Sequence, residues 1–240
     1  MKKLLALILA SAMLLCLAAC GKKDEDDNIT NDDGTTLVTD VYNDTLRYAV
    51  NEDGDLEITG FIRKNNDPVD ISIPASIEGR DVTGIGDAAF KACVTIRSVT
   101  FEGDLLYIGD AAFYGCTALK SITLPNTVEE IKQNAFRSSG IESITLPAKL
   151  ETIGLAAFWD CTSLKSVELP NGVKTIDDGA FWNCSAITSV AVPASVETLG
   201  DTAFYGCTAL KTASYYASTE LGESVFDNCA EDIAVTEIAE

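Results

Sequence analysis

There is no histidine among the 240 residues. That removes the usual general base near neutral pH, the Ser-His-Asp and Cys-His arrangements, and the commonest metal ligand. Basic residues are also scarce: 17 Lys and Arg stand against 37 Asp and Glu, a formal net charge of −20. Such a surface is repelled by nucleic acid and by anionic lipid, so neither is expected as a partner. No two cysteines are spaced Cys-x-x-Cys, which argues against a zinc site. A glycine-rich phosphate loop is missing too, the recurrent Ile-Gly pairs marking turns instead. These absences point to a chain that is not an enzyme and carries no cofactor or metal.

What the sequence has is repetition. One phenylalanine per copy falls at Phe90, Phe113, Phe136, Phe158, Phe181, Phe204 and Phe226, spaced by 23, 23, 22, 23, 23 and 22 residues. A fixed period in this range is the mark of a solenoid, each repeat being one coil stacked on the last. A coil runs Ala-Phe-x-x-Cys-x-x-Leu-x-x-Ile-x-Leu-Pro-x-x-Val-x-x-Ile-Gly-x-x. Ile122 and Leu124 alternate as in a strand, and Pro125 stops it, having no N–H to donate. Val128 and Ile131 turn the chain back, and a short helical turn is expected to present Ala112 and Phe113 inward.

Phe, Cys, Leu, Ile and Leu-Pro recur together in this order from about Ile71 to Cys229, and the pattern resembles the BspA-type leucine-rich-repeat family of bacterial surface proteins. The resemblance implies a right-handed leucine-rich-repeat solenoid and an extracellular life, often in adhesion to a protein or glycan. It brings no catalytic residues. Departures cluster at the ends, as in a finite stack. The first coil holds extra residues around Glu78-Gly-Arg-Asp81, where a small hairpin is expected. The third coil is a residue short and has Ser139 where its neighbours have Cys, and after Leu210 the strand motif degrades.

The first 19 residues read as a signal peptide: Lys2 and Lys3 open it, and Leu4 to Leu17 are apolar except for Ser11. That run is shorter than the roughly 20 residues of a membrane span. Leu17-Ala-Ala-Cys20 resembles a bacterial lipobox, which makes Cys20 the lipidated first residue of the mature protein. Its acyl chains would hold the molecule on the extracytoplasmic face of the cell membrane, at the cell surface. An ordinary signal peptide is the alternative. Residues 20–36 are acidic and almost free of apolar side chains, which fits a flexible tether. Asp24-x-Asp26-x-Asn28 begins like an EF-hand loop, but Ile29 and Thr35 stand where glycine and glutamate are required. Residues 37–66 contain two strand-like runs around Asn51-Glu-Asp-Gly-Asp55, a β-hairpin expected to cap the solenoid. Residues 67–229 form the solenoid and 230–240 a C-terminal tail.

Four columns of the repeat are candidates for function. Cys93, Cys116, Cys161, Cys184, Cys207 and Cys229 share one column. Neighbouring coils bring Cα atoms within disulfide range, yet stacked side chains point in parallel, and a buried thiol packs well as a small apolar group. Both states stay open. Asp87, Asp110, Asp178, Asp201 and Glu223 precede each Phe by three residues, where an acid would cap a helical turn. Tyr114, Trp159, Trp182 and Tyr205 follow the Phe, and stacked aromatics there make a candidate binding edge. On the strand face Ser121, Thr123, Ser143, Thr145, Ser166 and Glu168 point outward, a flat hydroxyl-rich surface that leucine-rich repeats commonly use for partners. The expected function is a lipid-anchored protein that binds an extracellular protein or glycan. The alternative is a structural surface component without a dedicated ligand.

Overall fold

A computed structural model describes residues 28–30, 36–38, 40–43, 45–51, 53–62 and 66–239. The expected signal peptide, the lipidated Cys20 and most of the expected tether lie outside the described residues. Within the tether, Asn28–Thr30 pairs antiparallel with Thr36–Val38.

Most coils contribute two strands, one more than the sequence pattern shows. The first is the expected Ile-x-Leu strand, as in Ser121–Thr123 and Ser143–Thr145, which pair in parallel with Ile122 against Ile144. The second is only two residues long and ends on an isoleucine or leucine, in most coils the one directly before the glycine of the turn. Tyr107–Ile108, Glu130–Ile131, Thr152–Ile153, Thr175–Ile176, Thr198–Leu199 and Glu220–Leu221 pair in parallel, coil after coil, in one continuous sheet. The residues read as simple turns are thus the rungs of the longest sheet in the molecule.

At its N-terminal end this sheet takes up Arg80–Ile85, Leu56–Phe61, Leu46–Val50 and Asp40–Tyr42. The last three form an antiparallel meander, and Leu56–Phe61 joins Arg80–Ile85 in parallel. The expected hairpin therefore extends the sheet as well as covering its end. Asn51 builds its turn, its side-chain oxygen accepting the N–H groups of Asp53 and Asp55 at 3.1 and 3.0 Å. The extra residues of the first coil form the expected small hairpin, Ser76–Ile77 against Arg80–Ile85. Glu78 and Gly79 at its tip have φ of 54° and 78°, the left-handed pair that a tight two-residue hairpin requires. At the other end Ala234–Ile238 pairs in parallel with Thr212–Tyr216, so the residues read as a tail belong to the stack.

The expected helical turn is not a helix, and none occurs among the described residues. In every coil the residues two before and two after the Phe have φ between 51° and 73°, so consecutive right-handed residues cannot accumulate. The N–H groups then alternate in direction. In the coil of Phe113, residues 112, 114 and 116 donate within the coil, to Gly109, Ala111 and Phe113. Residues 111, 113 and 115 donate to Gln133, Ala135 and Arg137 of the next coil at 2.9, 2.7 and 2.8 Å. An α-helix would spend all of these bonds on itself; this turn uses half of them to hold the stack together.

Between the two sheets and the turns runs one core, with the Phe column as its spine. Phe90 to Phe204 are fully buried. Their rings stack with centroids 5.0–5.3 Å apart, close to the strand spacing of about 4.8 Å. Phe204 to Phe226 opens to 5.9 Å, and Phe226 is only half-buried. Phe181→Ala should therefore leave a cavity and cost about 3–5 kcal/mol. Phe226→Ala should cost clearly less because the end coil can relax. Urea unfolding of the two variants checks this, and equal losses would contradict a one-dimensional stack.

Candidate functional site

The residue after each Phe sits on the turn with its neighbour pointing into the core, which places it at the outer edge. Trp159 and Trp182 stack face to face there, centroids 4.5 Å apart and 1° from parallel. Tyr205 continues the stack at 4.4 Å with a 32° tilt. Arg137 and Lys91 share the column that follows the Phe but are not among its candidate binding residues. In the structure they complete the edge: the Arg137 guanidinium lies 4.7 Å from the Trp159 ring and 5.9 Å from Tyr114. Lys91 lies 5.5 Å from the other side of the stack, at Tyr114. Asn228 donates to the Tyr205 hydroxyl at the far end.

This ladder has a direct consequence for binding. Both faces of Trp159 and Trp182 are occupied, by Arg137, by each other and by Tyr205, and Tyr114 is held between two cations. All are half-buried. A ligand meets ring edges, while flat stacking on a sugar or side chain needs ring faces. Replacing Trp159, Trp182 and Tyr205 together with serine should lower the melting temperature and leave partner binding unchanged. Two stacked pairs at about 0.5–1.5 kcal/mol each set the scale of the loss. Loss of binding at constant stability would restore the edge as a ligand platform.

The acidic column also differs from its expected use. With no helix to cap, three of the carboxylates reach the next coil. Asp87 accepts the N–H of Asp110 at 2.7 Å, Asp178 that of Asp201 at 2.8 Å, and Asp201 that of Glu223 at 2.7 Å. Where Leu155 interrupts the column, the Asp178 N–H turns to Asp177 instead, at 3.1 Å. Burial, and then the neighbouring Asp87 charge, raise the Asp110 carboxyl above its ordinary value. These bonds account for the column structurally, and among the described residues no group of three or more metal-ligating side chains converges.

Cys93 apart, the column cysteines are free thiols, at Cys116, Cys161, Cys184, Cys207 and Cys229. Each donates to the Phe carbonyl of the preceding coil, from 3.0 Å for Cys116 to Phe90 to 3.3 Å for Cys229 to Phe204. That carbonyl already accepts the N–H of the residue three on in its own coil, so the thiol satisfies its second lone pair. Ser139 keeps the column polar at its one gap, 3.4 Å from the Cys161 sulfur.

Burial pushes the thiol of Cys161 up to about 11 and those of Cys116 and Cys207 up to about 12, from an ordinary 9.0. Above 9 the unfolded chain releases these protons while the folded chain retains them. The stability present below pH 9 is therefore lost progressively as pH rises from 9 to the folded values of 11 to 12. Each thiol should remove up to about 1.4 kcal/mol per pH unit in that window. Urea unfolding at pH 8.5 and 10.5 measures the slope, and Cys→Ala replacements at these three positions should flatten it.

The strand face is laid out as expected. Ser121, Thr123, Ser143, Thr145, Ser166 and Glu168 are all exposed, while Ile122, Ile144 and Val167 between them are buried. Ion pairs run from coil to coil along its margin, Arg97 to Asp70 at 2.6 Å and Lys165 to Glu142 at 2.7 Å. Unlike the two-residue ladder, this face is not continuously paired. Ser143–Thr145 pairs with the coil before it and Ser189–Ala191 with the coil after it. Residues 166–168 between them form no strand. At that break lies an open pocket of about 430 Å³ lined by Asn126, Thr145, Ser166, Glu168, Leu169 and Pro170 among others. Nothing in the repeat pattern foretells it, since residues 166–170 keep the consensus Leu-Pro.

Comparison with known proteins agrees with this architecture. The family model for the BspA type leucine rich repeat region matches six copies over residues 83–211 and 137–238. The crystal structure of a T. pallidum leucine rich repeat protein is similar at 31% identity, over 81% of this chain and 91% of that one, with a TM-score of 0.73. A leucine-rich repeat protein from Bacteroides ovatus is 25% identical over 83% of this chain and 71% of its own, with a TM-score of 0.40. No curated protein matches the sequence.

Proposed function

Since the chain belongs to the BspA-type leucine-rich-repeat family, we propose that it is a lipid-anchored, extracytoplasmic protein that binds a protein partner through its strand face. The observation that carries this reading is the contrast between the two candidate surfaces. The aromatic edge spends its ring faces on itself, whereas the six outward positions of the strand face are exposed. Small hydroxyls on a flat sheet offer hydrogen bonds at little cost in side-chain entropy, and the face extends over several coils. A glycan partner is less well served, because the aromatic faces it would stack on are taken.

The anchor rests on the sequence of the leader. Leu17-Ala-Ala-Cys20 supplies a lipidation site, and the acidic residues after it hold the solenoid off an anionic membrane surface. A purely structural role keeps one observation in its favour, the self-satisfied aromatic ladder, which stiffens the rod without needing a ligand.

Two experiments test the proposal. Metabolic labelling with a fatty acid should mark the wild-type protein and place it in the membrane fraction, and Cys20→Ala should abolish both. Arginines at positions 121 and 189 (Ser121→Arg, Ser189→Arg) should leave the fold intact and block saturable binding to immobilised extracellular matrix proteins. Absence of saturable binding by the wild type would favour the structural role.

A further inference from the structure

Three departures from the repeat coincide in one coil. The strand ladder is interrupted at residues 166–168. Leu169, whose counterparts Leu124, Leu146 and Val192 are buried, is half-exposed. Glu168 is the single charge in an outward column that otherwise reads Thr100, Thr123, Thr145, Ala191 and Ser214. The pocket of about 430 Å³ lies where these meet. Its neighbour Lys165 is engaged by Glu142 at 2.7 Å. Among the described residues Glu168 itself makes no ion pair.

We propose that this pocket anchors one basic side chain, lysine or arginine, of a polypeptide partner. The claim deepens the strand-face reading and rests on it. The lining divides in the way such a side chain does. Leu146, Leu169, Pro170 and Ala148 offer apolar surface for a methylene stem, while Glu168 offers a free carboxylate for the head, with Ser166, Thr145 and Asn126 as further polar contacts. Long basic side chains bury their stems against apolar surface and keep the charge at a polar rim. A net charge of −20 favours the approach of a basic segment over an acidic one. The pocket adds position to that general attraction, because it sets a carboxylate beside apolar surface within one concave site.

Backbone amide shifts in NMR titrations test this, with Nα-acetyl-lysine amide and Nα-acetyl-arginine amide as probes and uncharged Nα-acetyl-norleucine amide as control. Saturable shifts at Thr145, Ser166, Glu168 and Leu169 are expected for the two basic probes. Affinity should be about tenfold weaker for norleucine, and about tenfold weaker for the basic probes in Glu168→Gln, the loss of one charge-assisted contact. Glu168 is exposed, so that substitution leaves packing undisturbed. Equal binding of norleucine, or basic-probe shifts scattered over other carboxylates and unchanged in Glu168→Gln, would overturn the proposal. Matrix-protein binding separates the two levels. If Ser121→Arg with Ser189→Arg abolishes it while Glu168→Gln leaves it intact, the pocket fails as anchor and the strand-face reading stands.

Discussion

The distance between one coil and the next governs this molecule. Backbone hydrogen bonding between parallel strands demands about 4.8 Å, and the Phe rings stack at 5.0–5.3 Å. The two requirements nearly coincide, so a single rise satisfies the polar ladder and the apolar core together. Every other recurring feature is a way of meeting that rise with side chains one coil apart.

The turns show how far the constraint reaches. A helix would be the cheaper local solution for Ala-Ala-Phe, but it would leave no N–H for the neighbouring coil. Left-handed residues on both sides of the Phe redirect alternate N–H groups along the stack instead. Asp87, Asp178 and Asp201 extend the same coupling outward by accepting the N–H of the following coil. The thiols extend it inward by donating to the preceding Phe carbonyl. The turn N–H groups and Phe carbonyls are thereby satisfied between coils, where an unsatisfied carbonyl would be costly.

Function follows from what this self-satisfaction leaves over. The aromatic edge packs largely on itself, with Lys91 and Arg137 against its rings and Asn228 on the Tyr205 hydroxyl. On the strand face, by contrast, most outward groups are small and exposed, and at the interruption at residues 166–168 lies a pocket that combines a carboxylate with apolar lining.

The sequence by itself determined the stack: the period, the buried Phe, Leu and Ile columns, the capping hairpin, and the outward direction of Ser121, Thr123, Ser143, Thr145, Ser166 and Glu168. Those properties are local or periodic, and side-chain chemistry repeated every 22 or 23 residues displays them. Only the tertiary structure decided where the bonds between coils go. Glu130–Ile131 is too short to announce itself as a strand and becomes one through its neighbours Tyr107–Ile108 and Thr152–Ile153. Asp87 looks like a helix cap until Asp110 is seen above it. Arg137 looks like a gap in an aromatic column until its guanidinium is found against Trp159. The pocket beside Glu168 lies at a missing pairing between coils, and a pairing is a relation between segments that neither segment carries alone.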